Sequence, residues 1–400
     1  MTLAVVLLCF SFCVVAQSGG APPPAGAAVS AAGAGAVRVM PGINLPLDSV
    51  TSLLLIHSLE GWLGQAKNPS NSYVGAEDRV GTRLLLDELW DIEKNGSLKD
   101  TAFYKCWLTN AILQDSGQLL VQFSYIGVQE NIPLLRASYT VVARRSGDRW
   151  LFTSPLAQHT VTWKSRQIGN CLFHYKTVLN VDKARDYEIR VAFYDQKLKA
   201  PPSTIDFYCC DDLVEASHLI GLEYKSDYGG QAHDEYGASD ATRTVIVSGD
   251  VDTAHFNTWN MHDTWHSRLH RVLSTKIINR PVDEGSAILY GGSWRIYNWA
   301  DILGLLKAYA GAHPDADWFS LYKEAANLVP PPKTVKISYA INALIIQRLD
   351  KEGRWPAVIE LLSCGPKEPG DANYFAALKK ITGVDTAGFN GYVWGLVRAE

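Results

Sequence analysis

Apolar positions change their spacing along the chain, and each change marks an expected element. Residues 1–16, "MTLAVVLLCFSFCVVA", form a nearly continuous apolar run that ends in Val14-Val15-Ala16. Such a run is shorter than the roughly 20 residues a membrane span needs, and its small residues lie where signal peptidase reads. A signal peptide over 1–16 is expected, although its first residues carry no Lys or Arg. The next segment, 17–43, is Ala-, Gly- and Pro-rich with no large apolar residue until its end, which predicts a linker. Beyond it, "LDSVTSLLLIHSLEGWLGQA" places apolar residues three and four apart behind Asp48, an N-cap candidate, so a helix should follow Leu47.

The period then falls to two. "LLVQFSYIGV", "LRASYTVVARRS" and "DRWLFTSPLAQHTV" alternate apolar with polar residues, with Ser146-Gly147-Asp148 as a hairpin turn. A second strand-rich block is expected from "NCLFHYKT" through "ARDYEIRVAFYDQKL" to "STIDFYCCDD", followed by the short buried strand "RTVIVSG". After it, "ADILGLLKAYAGA", "ISYAINALIIQRLDKEG", "WPAVIELLSCG" and "ANYFAALKKITG" return to helical spacing, several closed by Gly. The pattern predicts an α+β fold. Its divisions are a signal peptide (1–16), a linker (17–43), an α+β domain (44–163) and a second domain (164–400) with a mixed sheet and a helical carboxy-terminal part. Through "YTVVARRSGDRWLFTSPL", the 44–163 segment resembles the SnoaL/nuclear-transport-factor-like cone. That resemblance implies either a small-ligand site or a domain that packs and presents substrate.

Composition narrows the partners. With 37 basic and 41 acidic residues among 400 and no run of like charge, the chain has no electrostatic footprint for nucleic acid or an anionic membrane. A peptide, protein or neutral small molecule is the expected partner, in a secreted or periplasmic setting with no integral membrane segment after the signal is removed. Outside the signal the cysteines are Cys106, Cys171, Cys209, Cys210 and Cys364, an odd number without paired spacing, so no disulfide framework is expected.

The chemistry concentrates in "NMHDTWHSRLH", Asn260 to His270. Helix positions four apart share a face, so His262 and His266 can present two imidazole nitrogens to one metal ion. Histidines at this spacing also occur on ordinary solvated helices, and His266 with His270 is a rival register. That register has Ser267 where a zinc-protease motif needs a carboxylate, whereas His262–His266 encloses Asp263. A third histidine of the metzincin kind would fall at Val272. His233 and His255 lie in polar stretches before the motif, and their spacing assigns them no role.

Downstream, "NRPVDEGSAILYGGS" supplies Asp283, Glu284 and Ala287, which match the N-E-x-x-A of aminopeptidase-type gluzincins with one conservative change. With "SYAINALIIQRLDKEGRWPAVIELLSCG" behind them, these motifs make residues 164–400 resemble a peptidase-MA-like gluzincin, with HDxxH in place of HExxH. The resemblance implies a zinc ion held by His262, His266 and Glu284, Asp263 as general base and Tyr339 as oxyanion stabiliser. It also implies that "ATRTVIVSG" is the edge strand with which a substrate backbone pairs, and that Asp283 orients a histidine ligand. Asp263 is one methylene shorter than the usual glutamate, so its oxygen falls short by roughly 1.5 Å. Two readings follow: an exported zinc peptidase, or a catalytically impaired gluzincin-fold protein that binds peptide or glycan. A third assigns the function to the amino-terminal cone as a ligand-binding module.

Overall fold

A computed structural model describes residues 36–226, 235–249 and 260–400 of the chain. The expected signal peptide, most of the linker, His233 and His255 lie outside the described residues. The fold is α+β, as the change of period predicts.

β1 (Arg38–Val39) pairs in parallel with β2 (Lys105–Leu113), so the end of the Ala/Gly/Pro-rich segment joins the first sheet. α1 (Ser49–Gly64) starts where the sequence places it: the Asp48 carboxylate accepts from the backbone N–H of Val50 and of Thr51, each at 3.0 Å. α2 (Arg79–Asp87) follows, and β3 (Leu119–Gln129), β4 (Ile132–Ser146) and β5 (Arg149–Thr153) complete an antiparallel meander with β2. Gly147 takes φ +61° in the β4–β5 turn, a conformation that favours glycine. α1 buries Leu55, Leu59 and Trp62, whose indole meets the rings of Phe123 and Phe152 at 6.1 and 5.6 Å.

α3 (Leu156–His159) leads to the second sheet, whose strands are β6 (Lys164–Ile168), β7 (Cys171–Tyr175), β8 (Thr204–Cys209), β10 (Glu235–Ser239) and β11 (Arg243–Ser248). Between them run α4 (Val181–Leu198), α5 (Leu213–Ile220) and β9 (Leu222–Lys225). The strand order is β10-β11-β8-β7-β6, with β8 parallel to both β7 and β11 and the outer pairs antiparallel. β9 leaves this sheet and pairs with β4, and one apolar core extends from Val37 to Val247 across position 163.

Two expectations from sequence are corrected here. "ARDYEIRVAFYDQKL" is not a strand but most of the helix α4, which buries Ala184, Tyr187, Val191, Tyr194 and Leu198. The β-prone residues satisfy a spacing of three and four, and burial of that stripe prevails over their strand propensity. "RTVIVS" is not an edge: β11 lies between β10 and β8, and β10 is the outer strand on that side among the described residues. Its run of buried residues from Thr244 to Ser248 is what an interior strand covered on both faces requires. Cys209 and Cys210 are buried on opposite faces of the sheet, and all five described cysteines are free.

From residue 260 onward the chain is mainly helical, with one hairpin. α6 (Met261–Leu269), α7 (Arg280–Gly291), α8 (Trp299–Ala312) and α9 (Trp318–Lys323) precede the short strands β12 (Asn327–Val329) and β13 (Val335–Lys336). Then come α10 (Ile337–Lys351), α11 (Trp355–Leu362), α12 (Ala372–Thr382) and α13 (Phe389–Ala399). No helix among the described residues is long and apolar enough to cross a membrane. α10 is the central rod of this half, burying Ile337, Ile341, Leu344, Ile345 and Leu349 in one cluster with Trp265, Val282 and Trp318.

Two glycines bring the site helices together. A Cβ on Gly285 would stand 2.6 Å from the Asn342 Cβ of α10, and one on Gly291 would stand 2.6 Å from the His262 backbone nitrogen of α6. Real Cβ atoms do not approach other heavy atoms so closely, so α7 lies between its two neighbours only because these positions carry no side chain. Gly291→Ala is therefore expected to push α6 from α7, destabilising the protein by about 1–3 kcal/mol and weakening any metal bound between them. Denaturant unfolding and zinc titration of the variant check this, and wild-type values in both would contradict it.

Candidate metal centre

α6 begins at Asn260, whose side-chain oxygen accepts the Asp263 N–H at 3.1 Å. The helix turns Trp265, Arg268 and Leu269 inward. The Trp265 indole donates to Ser286 Oγ of α7 at 2.7 Å, and Arg268, 1% exposed, donates two hydrogen bonds of 2.5 Å to Asp195 of α4. With that face fixed to two neighbouring helices, the half-buried imidazoles of His262 and His266 turn toward Glu284 of α7.

Each imidazole is held by its far nitrogen. His262 Nδ1 lies 2.7 Å from the Gly292 carbonyl, which can only accept, so Nδ1 carries the proton. His266 Nδ1 lies 2.7 Å from Asp283 Oδ1 and donates to it in the same way. In the neutral rings both Nε2 atoms then expose lone pairs, and these face each other at 3.1 Å, with Glu284 Oε2 3.4 Å from His262 Nε2. Two lone pairs and a carboxylate at that distance repel unless a cation lies among them. A tetrahedral ion with bonds of about 2.0–2.1 Å puts ligand atoms about 3.3–3.4 Å apart. The two separations at His262 are near this, and all three ligand atoms lie within 4.8 Å of one another, so Glu284 closes on His266 when an ion is bound. The donor set of two imidazole nitrogens and one carboxylate thus fits zinc.

Without metal, a proton takes that place. Burial alone would push the His262 imidazole down, but hydrogen bonds to Glu284 and to the Gly292 carbonyl outweigh it and hold it above its ordinary value. Glu284 moves the opposite way: burial would raise its carboxyl, and the His262 bond with the charges of His266, His262 and Arg280 lowers it.

Asp283 occupies the outer side. Its two oxygens accept from His266 Nδ1 at 2.7 Å and from His270 Nε2 at 3.1 Å. His266, His270 and Asp283 therefore make a second group able to hold a cation, sharing His266 with the first. The rival register is thus present in space, but with both Asp283 oxygens engaged by ring N–H groups it serves to orient His266. Burial opposes ionisation of Asp283, yet bonds from His266 and His270 hold it at about 2 against an ordinary 3.8. A carboxyl depressed on folding contributes stability that is full above 3.8 and lost as pH falls through about 2. Asp283→Asn is expected to remove about 2 kcal/mol of acid-sensitive stability. Measured against pH, the parent should lose that increment between pH 4 and 2 and the variant should not. Parallel curves would contradict the assignment.

The centre opens into a cleft of about 430 Å³. Asp263 and Tyr339 both line it, beside His262 and Glu284. The Asp263 carboxylate is exposed on the first turn of α6 and its Oδ2 accepts from the Asn260 side-chain amide, while Oδ1 accepts no hydrogen bond from the described residues. Tyr339 lies in the first turn of α10, and its hydroxyl accepts from Arg280. Burial, then the nearby Glu284 charge, raises the Tyr339 phenol, so it remains a donor at neutral pH. A larger hollow of about 940 Å³ lies behind the Gly291–Asn298 segment, lined by Arg190, Phe193 and Tyr297, and holds none of the converging nitrogens.

Sequence reasoning misses the Gly292 carbonyl, because any residue type supplies one. It also misses Arg280, whose Nε lies 3.4 Å from Glu284 Oε1, although its place four residues before Glu284 on one helix face could have revealed it. No protein-family model matches the chain, and no curated protein matches it either.

Proposed function

We propose that the chain is an exported zinc-dependent peptidase of gluzincin type, with His262, His266 and Glu284 as ligands. The observation that carries this reading is the convergence of two Nε2 lone pairs and one carboxylate, each imidazole anchored through its other nitrogen, at the wall of an open cleft. A zinc ion bound there supplies polarisation of a scissile carbonyl and acidification of water towards a pKa of about 7. The chain's own residues do the rest. Asp263 takes the proton of the attacking water through Oδ1 while Asn260 keeps Oδ2 in place. Tyr339 donates from its hydroxyl to the carbonyl oxygen as charge develops there, with Arg280 beside it. Asp283 and Gly292 hold the two rings so that neither rotates when a proton moves.

The amino-terminal α+β unit, in this reading, packs against the peptidase part and presents substrate. Export removes the segment up to Ala16, so secreted material should begin at Gln17 by intact mass, and an intact Met1 would contradict export. The short reach of Asp263 favours one alternative, a gluzincin-fold protein that binds peptide or glycan without turnover. Incubating zinc-loaded protein with casein and a peptide library, beside His262→Ala, separates the two: cleavage by the parent alone supports the peptidase, and no cleavage by either supports the binding protein.

A further inference from the structure

The cleft around the proposed centre has a one-sided charge. Arg280, Arg295, Lys333 and Lys336 line it, against Asp263 and Glu284 as its only acids among the described residues. Glu284 is already engaged by His262 and Arg280, and Asp263, held only by the neutral Asn260 amide, keeps its charge, so four cations face two acids. Lys333 and Lys336 have no carboxylate partner among the described residues. Their ammonium groups lie over aromatic rings instead, Lys333 at 5.0 Å from the Trp294 ring and Lys336 at 5.4 Å from the Tyr339 ring. These contacts hold the lysines at the cleft wall without neutralising them.

The wall is preorganised. Lys333 follows Pro330-Pro331-Pro332 in the β12–β13 hairpin, where three fixed φ angles limit the backbone, and the Trp294 indole donates to the Thr334 carbonyl at 2.8 Å. Trp294 and Arg295 both take left-handed φ, +56° and +58°, which brings Trp294 across to the hairpin. A rigid wall carrying Lys333 and Lys336, neither paired with a carboxylate among the described residues, and facing a centre that would itself carry positive charge, suits an anion and disfavours a free peptide amino group.

We propose that Arg280, Lys333 and Lys336 select peptides that carry a carboxylate close to the bond presented at His262, His266 and Glu284. The inference rests on the peptidase reading for the place where peptide lies, and adds the substrate class. The carboxylate belongs either to an Asp or Glu side chain or to the peptide's own carboxy terminus.

The test uses the zinc-loaded full chain and fluorescein-labelled peptides in three forms: with Asp and Glu, with Asn and Gln in their place, and with an amidated carboxy terminus. Binding is followed by fluorescence anisotropy and cleavage by mass spectrometry. The acidic peptide should bind about tenfold more tightly than its Asn/Gln counterpart or its amidated form, the increment that two or three exposed charge pairs supply together. Whichever change removes the preference identifies the carboxylate's source. Lys333→Glu with Lys336→Glu should abolish or invert the preference, and Lys333→Gln with Lys336→Gln should reduce it, both with parental melting temperatures. Equal affinity of the parent for all three peptides overturns the proposal, as does a preference that survives the Glu double variant. Cleavage without charge preference overturns it and leaves the peptidase reading standing. Preference in binding without any cleavage supports the rim and overturns the peptidase reading.

Discussion

His266→Ala is expected to yield a folded protein with no bound zinc. His266 is the one residue that meets both neighbouring groups, through Nε2 toward His262 and through Nδ1 toward Asp283. Its removal leaves one imidazole and one carboxylate, which cannot complete a three-ligand site. Loss of a partner that merely orients a ligand weakens metal binding by about 10–100-fold, so loss of the ligand itself should exceed the upper figure. The fold should survive, because the apolar clusters around Trp265 and α10 do not include the His266 ring. Elemental analysis with circular dichroism checks both halves of this expectation. Zinc at full occupancy in the variant would show that the ligand set is wrong.

The second large effect concerns Asp263. A working base must come within about 2.6–3.2 Å of the water it deprotonates, directly or through one more water. Aspartate reaches less far than glutamate, and a misplacement of about 1 Å can lower a rate about a hundredfold. Asp263→Glu is therefore expected to retain or raise peptide cleavage, by up to about a hundredfold on the same estimate, with zinc content unchanged. Asp263→Asn should abolish cleavage while sparing zinc, because it keeps an oxygen for Asn260 but cannot accept the proton. Rates of the three proteins on one peptide library decide the matter. Equal activity in the parent and Asp263→Asn would sink the general-base role even with zinc in place.

Much of this arrangement is legible in the sequence because helices impose simple arithmetic. The fourfold spacing of His262 and His266 becomes a shared helix face, and the Asp283-Glu284 pair becomes two carboxylates pointing to different neighbours, one to His266 and His270 and one to His262. The α+β class follows from the change of period, since alternation and three-to-four spacing leave different marks. Other features leave no such mark. Period alone separates poorly when β-prone residues also satisfy helical spacing, which is how α4 passes for a strand. Edge and interior strands differ by what covers them, so the place of β11 depends on the chain order of the sheet. The Gly292 carbonyl has no residue-type signature, and the approach of Lys333 and Lys336 to the cleft depends on how the β12–β13 hairpin packs, which no spacing from Glu284 reports.

The most direct measurement is the metal content of the purified full-length chain, dialysed against micromolar zinc and then against metal-free buffer. One zinc per chain in the parent, with almost none in His262→Ala, His266→Ala or Glu284→Gln, is the result expected of a centre built from those three residues. A parent chain that retains no zinc, or variants that retain as much as the parent, would contradict it.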